Sequence, residues 1–196
     1  DEILNNSFSG DGITTTDIYD DTEVIFSITR QSDGKILAGG YTFKDGIPEY
    51  ALVRYNENGD IDESFGDDGI VVISIGTDFD LITSVIIQPD NKIIVAGDFT
   101  NYNGFPDVKM ARLHSDGVRD YTYNTSDNLV NSPLKPKVLT LLPDGVSALI
   151  GGDEFPYIMH IASNGASYEQ MNPHANNRVT GIVVKSDGKI LISGDF

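Results

Sequence analysis

The stretch Pro89-Asp90-Asn91-Lys92-Ile93-Ile94-Val95-Ala96-Gly97 decides the fold, because variants of it occur four times in the chain. The other copies are Ser32-Asp33-Gly34-Lys35-Ile36-Leu37-Ala38-Gly39-Gly40, Pro143-Asp144-Gly145-Val146-Ser147-Ala148-Leu149-Ile150-Gly151 and Ser186-Asp187-Gly188-Lys189-Ile190-Leu191-Ile192-Ser193-Gly194. Their aspartates lie 57, 54 and 43 residues apart, and a glycine follows each of them after seven positions. A segment that returns at a roughly fixed period indicates a repeat architecture, in which similar small units pack against one another.

Each of these aspartates lies between two short runs that are rich in β-branched residues. The runs cover residues 85–88 and 93–95 in the second copy, and 182–185 and 190–192 in the fourth. Asp-Gly and Asn tolerate the positive φ that tight hairpin turns demand. The pattern therefore predicts an antiparallel β-hairpin in every repeat.

Two more runs predict a third and a fourth strand. The third is expected at residues 51–55, 109–113 and 157–161, and the fourth at residues 70–75. Four short antiparallel strands make one propeller blade, and similar sheets can bury their faces against one another around an axis. The sequence thus predicts an all-β protein, a β-propeller built of four-stranded antiparallel blades. The approximate repeats are 1–60, 61–118, 119–166 and 167–196.

The last repeat is incomplete, because the chain stops at Phe196, directly after the second strand of its hairpin. The first residues carry a Ser7-Phe8-Ser9 turn, which could supply an outermost strand but not a third strand as well. We therefore expect residues 1–196 to form a single region, a partial propeller of about four repeats from a longer chain.

Two other motifs keep the phase of the repeat. Ser64-Phe65-Gly66-Asp67-Asp68-Gly69-Ile70 repeats Ser7-Phe8-Ser9-Gly10-Asp11-Gly12-Ile13, and Arg112-Leu113-His114-Ser115-Asp116-Gly117 repeats Arg54-Tyr55-Asn56-Glu57-Asn58-Gly59. With the hairpin stretch that runs from Gln88 to Phe99, these residues resemble the bacterial delta-60 repeat, a propeller-like family. The resemblance implies a secreted, extracellular or cell-surface setting, in large exported bacterial proteins or in surface fibres of bacteria and phages. It implies no catalytic residues.

Composition excludes several kinds of partner. Thirty acidic and thirteen basic residues give a net charge of −17, which disfavours nucleic acid and anionic lipid. No apolar run approaches the ~18 residues of a membrane helix, so direct membrane insertion is not expected. The absence of cysteine excludes disulfides and thiolate nucleophiles. We expect a protein or glycan partner on a surface, and a place in a larger polypeptide or assembly.

Catalytic patterns are weak. None of the three histidines, His114, His160 and His174, lies in a Gly-x-Ser-x-Gly setting. Paired carboxylates such as Asp67 and Asp68 could act as acid and base in glycoside cleavage, but turn chemistry already explains many of them. The sequence favours a non-enzymatic module for binding, adhesion or structural assembly. The alternative is a polysaccharide-degrading enzyme that uses carboxylates in the central channel.

One loop spaces oxygen ligands as calcium loops do. Asn56, Asn58, Asp60 and Asp62 stand at alternate positions, although Ile61 lies where an EF-hand has glycine. The loop predicts either a bound calcium ion or a solvated Asx turn, and no other cofactor is expected.

The loops after each second strand are the candidates for recognition, because rotation about the axis brings equivalent loops to one propeller face. Aromatic rings stack on sugars or peptides, while amides and carboxylates bond their hydroxyls. The alternative is that these rings wedge between blades and hold them together. A basic stretch at Lys135-Pro136-Lys137 is interpreted as an inter-blade connection. The candidate ligand-binding aromatics are Tyr41, Phe43, Phe99, Tyr102, Phe105, Phe155 and Tyr157.

Overall fold

A computed structural model describes residues 4–19, 22–73, 81–98, 101–102, 105–106, 109–123, 127–168 and 175–196. In these ranges the regular structure is β-strand, apart from one helical turn, α1, at Asp127–Val130. Among the described residues, no helix has the length and apolarity needed to cross a bilayer. The all-β prediction is confirmed.

The strands form four antiparallel blades that follow one another along the chain. Blade 1 contains β1 (Val24–Arg30), β2 (Ile36–Lys44), β3 (Ile47–Tyr55) and β4 (Ile70–Ile73) in that spatial order. Blade 2 contains β5 (Leu81–Ile87), β6 (Ile93–Asp98) and β9 (Met110–Leu113), and between the last two a small hairpin joins β7 (Asn101–Tyr102) to β8 (Phe105–Pro106).

Blades 3 and 4 repeat the plan. Blade 3 contains β10 (Lys135–Leu141), β11 (Ala148–Asp153), β12 (Ile158–Ile161) and β13 (Ser167–Tyr168), and blade 4 contains β14 (Val179–Val184) and β15 (Ile190–Gly194). The predicted third strands are all present. The interpretation of Lys135-Pro136-Lys137 as a connection is wrong, since these residues begin the innermost strand of blade 3.

The Asp-Gly turns join the first and second strands as predicted. Gly34 takes φ +92°, and the Asp33 carboxylate accepts a hydrogen bond from the Lys35 amide at 3.2 Å. At the second turn Asn91 takes φ +62°. Residues of this kind are needed because left-handed backbone is costly for side chains with a bulky Cβ.

The third turn is one residue longer than the others. Leu142 N donates to Ser147 O, five positions on, whereas Gln31 N donates to Lys35 O, four positions on. The gapless alignment of the four copies is therefore wrong in repeat three after Asp144. Gly152, not Gly151, takes the structural place of Gly40.

That glycine is required by a bulge in the innermost strand. The register of β1 shifts between Ile25 and Ser27, and equivalent shifts occur in the inner strands of the other three blades. A Cβ built on Gly40 would lie 1.8 Å from the carbonyl oxygen of Val24, and one on Gly152 would lie 1.9 Å from that of Lys135. No side chain fits there, which explains the recurring glycine.

Each blade has two faces, and we call the one toward the preceding blade its near face and the other its far face. Apolar side chains of successive blades meet at seams. The far face of blade 1 packs on the near face of blade 2, through Leu37, Tyr50, Leu52 and Phe65 on one side and Ile82, Val85, Ile93, Val95, Ala111 and Leu113 on the other. Blades 2 and 3 meet in the same way, and so do blades 3 and 4.

The blades thus form an arc along their innermost strands. β1 packs on β5, β5 on β10, and β10 on β14, while no contact of comparable extent joins β14 to β1 among the described residues. Part of the near face of blade 1 is consequently open. Ile28 is 67% exposed there, although its counterpart Val85 in blade 2 is 4% exposed.

Candidate recognition surface

The blades have two chemically different ends. The turns between first and second strands, at Asp33, Asp90, Asp144 and Asp187, lie at one end of the blades, which we call the lower end. The connections between second and third strands lie at the other end, the upper end. The upper end carries the predicted recognition segments of blades 1, 2 and 3. The expectation that equivalent segments share one end therefore agrees with the strand topology.

In blade 1 the segment with Tyr41 and Phe43 was predicted as a loop after the second strand, and this prediction is wrong. β2 and β3 pair without interruption from Ile36 with Tyr55 to Lys44 with Ile47. They are joined by Asp45 and Gly46, which take φ of +54° and +78°. This is the Asp-Gly hairpin turn in which both central residues have positive φ. Tyr41 and Phe43 consequently stand on a rigid strand.

Three aromatic rings cluster on this strand pair. Tyr41 and Phe43 meet edge to face, with 5.5 Å between ring centroids. Phe26 of β1 lies 5.8 Å from the Tyr41 ring and is 52% exposed. Phe26 was missed in the sequence because it occupies the bulge of β1, where strict alternation of buried and exposed positions fails. We call Phe26, Tyr41 and Phe43 the aromatic cluster.

Two carboxylates lie beside one another on the opposite face of the same strands. Thr42 Oγ1 donates to Glu23 Oε1 at 3.0 Å, and the same oxygen accepts the Ile18 amide at 3.3 Å. Glu49 pairs with Thr42 across β2 and β3 and is only 5% exposed. Its Oε2 has no hydrogen-bond partner within the described structure. A buried acceptor without a donor is unfavourable, so this oxygen is a point where a bound donor would be stabilised.

A cavity of about 360 Å³ lies next to Glu23, between the near face of blade 1 and the segment of residues 14–18. Its floor is formed by Ala38, Ala51 and Val53. At one side Thr16 Oγ1 and Tyr55 Oη share a hydrogen bond of 2.7 Å. The cavity is thus apolar below and bordered by hydroxyl and carboxylate oxygens.

Blade 3 presents two of the predicted aromatics differently. Phe155 is 67% exposed and meets Tyr157 edge to face, with 6.2 Å between centroids. Tyr157 packs against Leu149 and Val179 at the seam between blades 3 and 4. The interpretation of the aromatics as wedges between blades thus suits Tyr157, whereas Phe155 faces solvent.

The remaining predicted aromatics belong to blade 2. Tyr102 and Phe105 pair across the small hairpin of β7 and β8 at the upper end. Phe99 lies outside the described residues. Ligand binding by any of the seven aromatics stays a prediction.

The lower end contains a buried ion pair that the sequence reading missed. Arg54 Nε donates to Asp62 Oδ2 at 2.6 Å, and Lys35 Nζ donates to the same oxygen at 2.7 Å. The Arg54 guanidinium lies over the Phe65 ring at 4.5 Å, and its Nη1 donates to the backbone carbonyl of Ser115 in blade 2. One arginine therefore ties the third strand of blade 1 to the next blade.

The same arrangement recurs one repeat later. Arg112 Nε donates to Asp120 Oδ2 at 2.9 Å, the guanidinium lies 4.4 Å from the Tyr123 ring centroid, and Nη1 donates to the Ser163 carbonyl of blade 3 at 3.0 Å. We call each set an arginine clamp. Both clamps have aspartate eight residues after arginine, and this shared spacing was the signal available in the sequence.

Burial disfavours ionisation of both aspartates, but hydrogen bonds reverse that effect. Bonds from Lys35, Ser64 and Arg54 hold the pKa of Asp62 well below its usual value. Bonds from Thr122 and Arg112 lower the pKa of Asp120 to about 2. A general acid needs a raised pKa, so the clamp aspartates have the wrong shift for that role.

The clamp also bears on the predicted calcium loop. Asp62 already neutralises Arg54 and Lys35, and a calcium ion there would have to replace them. Asn58 Nδ2 donates to Asp60 Oδ2 at 2.7 Å, and Asn56 Nδ2 donates to the Ile61 carbonyl at 3.3 Å. In the described ranges no three His, Cys, Asp or Glu side chains are grouped to hold a metal ion. Calcium binding stays a prediction.

Comparison with known proteins agrees with this architecture. Residues 31–65 and 88–123 match a family described as a domain of unknown function (DUF5122) beta-propeller. The fold is a β-propeller. The matched segments contain the second and third strands and the arginine clamps of blades 1 and 2. They support a β-propeller repeat family, and the narrower delta-60 assignment stays a prediction.

A solved structure of similar shape is the periplasmic gluconolactonase PpgL of Pseudomonas aeruginosa. The two share 13% sequence identity with a TM-score of 0.47. The alignment covers 85% of this chain and 49% of that chain, so this chain spans about half the length of PpgL. No curated protein matches the sequence.

Proposed function

We propose that this protein is a non-enzymatic binding module, located outside the cell, that holds a neutral glycan at the upper end of blade 1. The observation that carries the proposal is the aromatic cluster, in which the partly exposed Phe26 ring adjoins Tyr41 and Phe43 on a rigid hairpin. Sugar rings present apolar faces that stack on such side chains. The extracellular location rests on the resemblance of the repeat to exported proteins.

Charge narrows the choice of ligand. The net charge of −17 disfavours anionic polymers, so a neutral glycan is favoured as the ligand that stacks on the aromatic cluster. The alternative function, cleavage of a polysaccharide, would show itself as turnover of the bound glycan and its loss in Glu49→Gln.

Binding of neutral oligosaccharides to the full chain, measured by titration calorimetry, tests the proposal. Phe43→Ala and Phe26→Ala should each weaken binding about fivefold, because one stacked ring contributes on the order of 1 kcal/mol. Tyr121→Ala is the matched control, since Tyr121 is an aromatic residue 59% exposed at the lower end. Equal affinity in the wild type and both cluster variants would refute the site, and binding of a protein instead of glycans would refute the ligand class.

A further inference from the structure

Residues 5–12 have the conformation of the turn that completes an arginine clamp. Asn5 Oδ1 accepts hydrogen bonds from the Ser7 amide at 3.1 Å and the Ser7 hydroxyl at 2.7 Å. Asp62 Oδ1 accepts the corresponding pair from Ser64 at 3.3 and 2.7 Å. Asn5 therefore stands where the clamp carries its aspartate.

The aromatic residue of the clamp is matched as well. Gly12 N donates to Phe8 O at 2.7 Å, as Gly69 N donates to Phe65 O at 2.8 Å. Phe8 comes three residues after Asn5, and Phe65 comes three residues after Asp62. Residues 5–12 thus supply the hydrogen-bond acceptor, the turn and the aromatic ring of a clamp. No arginine among the described residues completes it.

The turn of residues 5–12 also packs on blade 1 in the way that the turn of a clamp packs on the following blade. Ser9 N donates to Asn58 O at 2.7 Å, and Gly66 N donates to Asp116 O at 2.8 Å. A Cβ on Gly59 would meet the Phe8 ring at 3.3 Å, as one on Gly117 would meet the Phe65 ring at 3.1 Å. The position of the turn therefore reproduces the seam between blades 1 and 2.

The strands that accompany such a turn at a seam have no counterpart in the described part of the chain before β1. Ile25 and Ile28 on the near face of blade 1 are 54% and 67% exposed, whereas the equivalent Ile82 and Val85 are 1% and 4% exposed under blade 1. The cavity of about 360 Å³ lies between this face and the segment of residues 14–18. The uncovered area is apolar, as the far face of a blade would require.

We propose that the near face of blade 1 and the turn of residues 5–12 together dock a further three-stranded β-sheet of the same repeat. The third strand of this sheet carries an arginine that lies over the Phe8 ring, next to Asn5. The guanidinium of that arginine donates to the carbonyl oxygen of Glu57. Glu57 is the position that corresponds to Ser115 and Ser163, whose carbonyls receive Arg54 and Arg112.

The occupant is defined by the spacing of the clamp. In blades 1 and 2 the clamp aspartate follows the arginine of the third strand after eight residues, so the sheet that fits is one whose arginine stands eight residues before Asn5. Blade 4 of a second copy offers only two described strands and no arginine at this place. It lacks the chemistry of the clamp.

The test extends the full chain by one repeat. A copy of residues 14–61 is placed directly before Asn5, so that its arginine precedes Asn5 by the same eight residues. We expect the amide of Ile28 to exchange with solvent at least about tenfold more slowly than in the original chain, because an added sheet converts an open strand into a covered one. Unchanged exchange of β1 in a folded extended chain overturns the proposal.

Two variants separate docking from general stabilisation. Replacing the arginine of the added copy by alanine should reduce the protection at Ile28, because the clamp is lost while the apolar contact remains. Ile28→Lys should leave the original chain as stable as before, because that side chain is exposed, and should destabilise the extended chain. An equal effect of Ile28→Lys in both chains contradicts the docking surface.

A measurement on the original chain keeps the proposal testable if the extended chain does not fold. The Ile28 amide should exchange at least about tenfold faster than the Val85 amide, which donates to Ser27 of blade 1 at 2.9 Å. Equal protection would mean that the face is already closed. Protection that grows with protein concentration would assign the surface to a second copy instead. Neither result depends on glycan binding.

Discussion

The seams between blades 1 and 2 and between blades 3 and 4 are built differently. Both bury apolar side chains, but the first adds Arg54, which reaches the Ser115 carbonyl, and Ser27, whose hydroxyl accepts the Val85 amide at 2.9 Å. At the third seam the equivalent positions hold His160 and Val138. A seam of this repeat therefore forms without an arginine clamp.

At the two seams that have them, the arginine and serine contacts set the alignment of neighbouring blades. A guanidinium that must meet a carboxylate, a ring and a distant carbonyl fixes one register between neighbouring sheets. The middle seam has the same pair of devices, Arg112 with the Ser163 carbonyl and Ser84 with the Leu139 amide. Blades 1 to 3 are therefore joined by buried, direction-specific bonds, whereas blade 4 is joined to blade 3 by apolar packing and by a half-exposed contact of Arg178 Nε with Asp153 Oδ1 at 3.8 Å.

Removal of a clamp arginine should have the largest effect on the free energy of unfolding. Arg112→Ala leaves Asp120, which is 1% exposed, as a buried charge with Lys92 at 3.8 Å as its remaining cation. The free energy of unfolding should fall by about 3–5 kcal/mol. Denaturation in urea, followed by circular dichroism, measures it.

The control for this prediction is the matched position of the third seam. His160 stacks on Tyr168 at 5.8 Å and makes no clamp, so His160→Ala should cost less than about 1 kcal/mol. Equal losses in the two variants would show that the seams do not differ as described.

The next largest loss of stability is expected at the glycine opposite the bulge of the innermost strand, which all four blades keep. Gly152→Ala should destabilise the protein by about 3 kcal/mol, because the new Cβ would lie 1.9 Å from the Lys135 carbonyl oxygen. Gly46→Ala is the control, since nothing lies within 4 Å of that position and only its positive φ is penalised, by about 1 kcal/mol. Thermal denaturation of both variants gives the comparison, and a tolerated Gly152→Ala would contradict the bulge as the reason for this glycine.

Ser84, at the seam between blades 2 and 3, should contribute less to the free energy of unfolding. Ser84→Ala removes the acceptor for the Leu139 amide, a bond of 3.0 Å in a buried place, and should cost about 1–2 kcal/mol. Ser186→Ala, at an exposed turn, should change nothing measurable. If Ser84→Ala is equally neutral, the serine has no part in joining the blades.

Lowering the pH should distinguish the seams that have an arginine clamp from the seam that has none, without any substitution. The clamp aspartates have lowered pKa values in the folded protein, so their stabilisation is complete above about pH 4 and is lost as the pH falls. For Asp120 the loss should extend down to about pH 2. Amide signals of blades 1 and 2, followed by NMR from pH 5 to 2, should weaken before those at the seam of blades 3 and 4. The opposite order would contradict the role of the clamps.

The strand pattern could be predicted from the sequence because an Asp-Gly or Asp-Asn turn joins the first and second strands of each blade at the lower end. The extra residue at 142–147 could not, since Gly151 and Gly152 are adjacent and Gly151 already satisfies the gapless alignment. Asp62 was assigned to a calcium loop because alternating oxygen ligands look alike whether they face an ion or a buried guanidinium. Only the fold shows that Arg54 approaches from the neighbouring strand.

The tip of the β2–β3 hairpin has a practical consequence. Asp45 and Gly46 close two nine-residue strands, and a side chain at Gly46 would touch no other part of the described protein. Exposed tips of this kind tolerate inserted sequence. An epitope or a fluorophore-bearing cysteine placed between these two residues would report on ligands approaching the aromatic cluster while leaving the stacked sheets undisturbed.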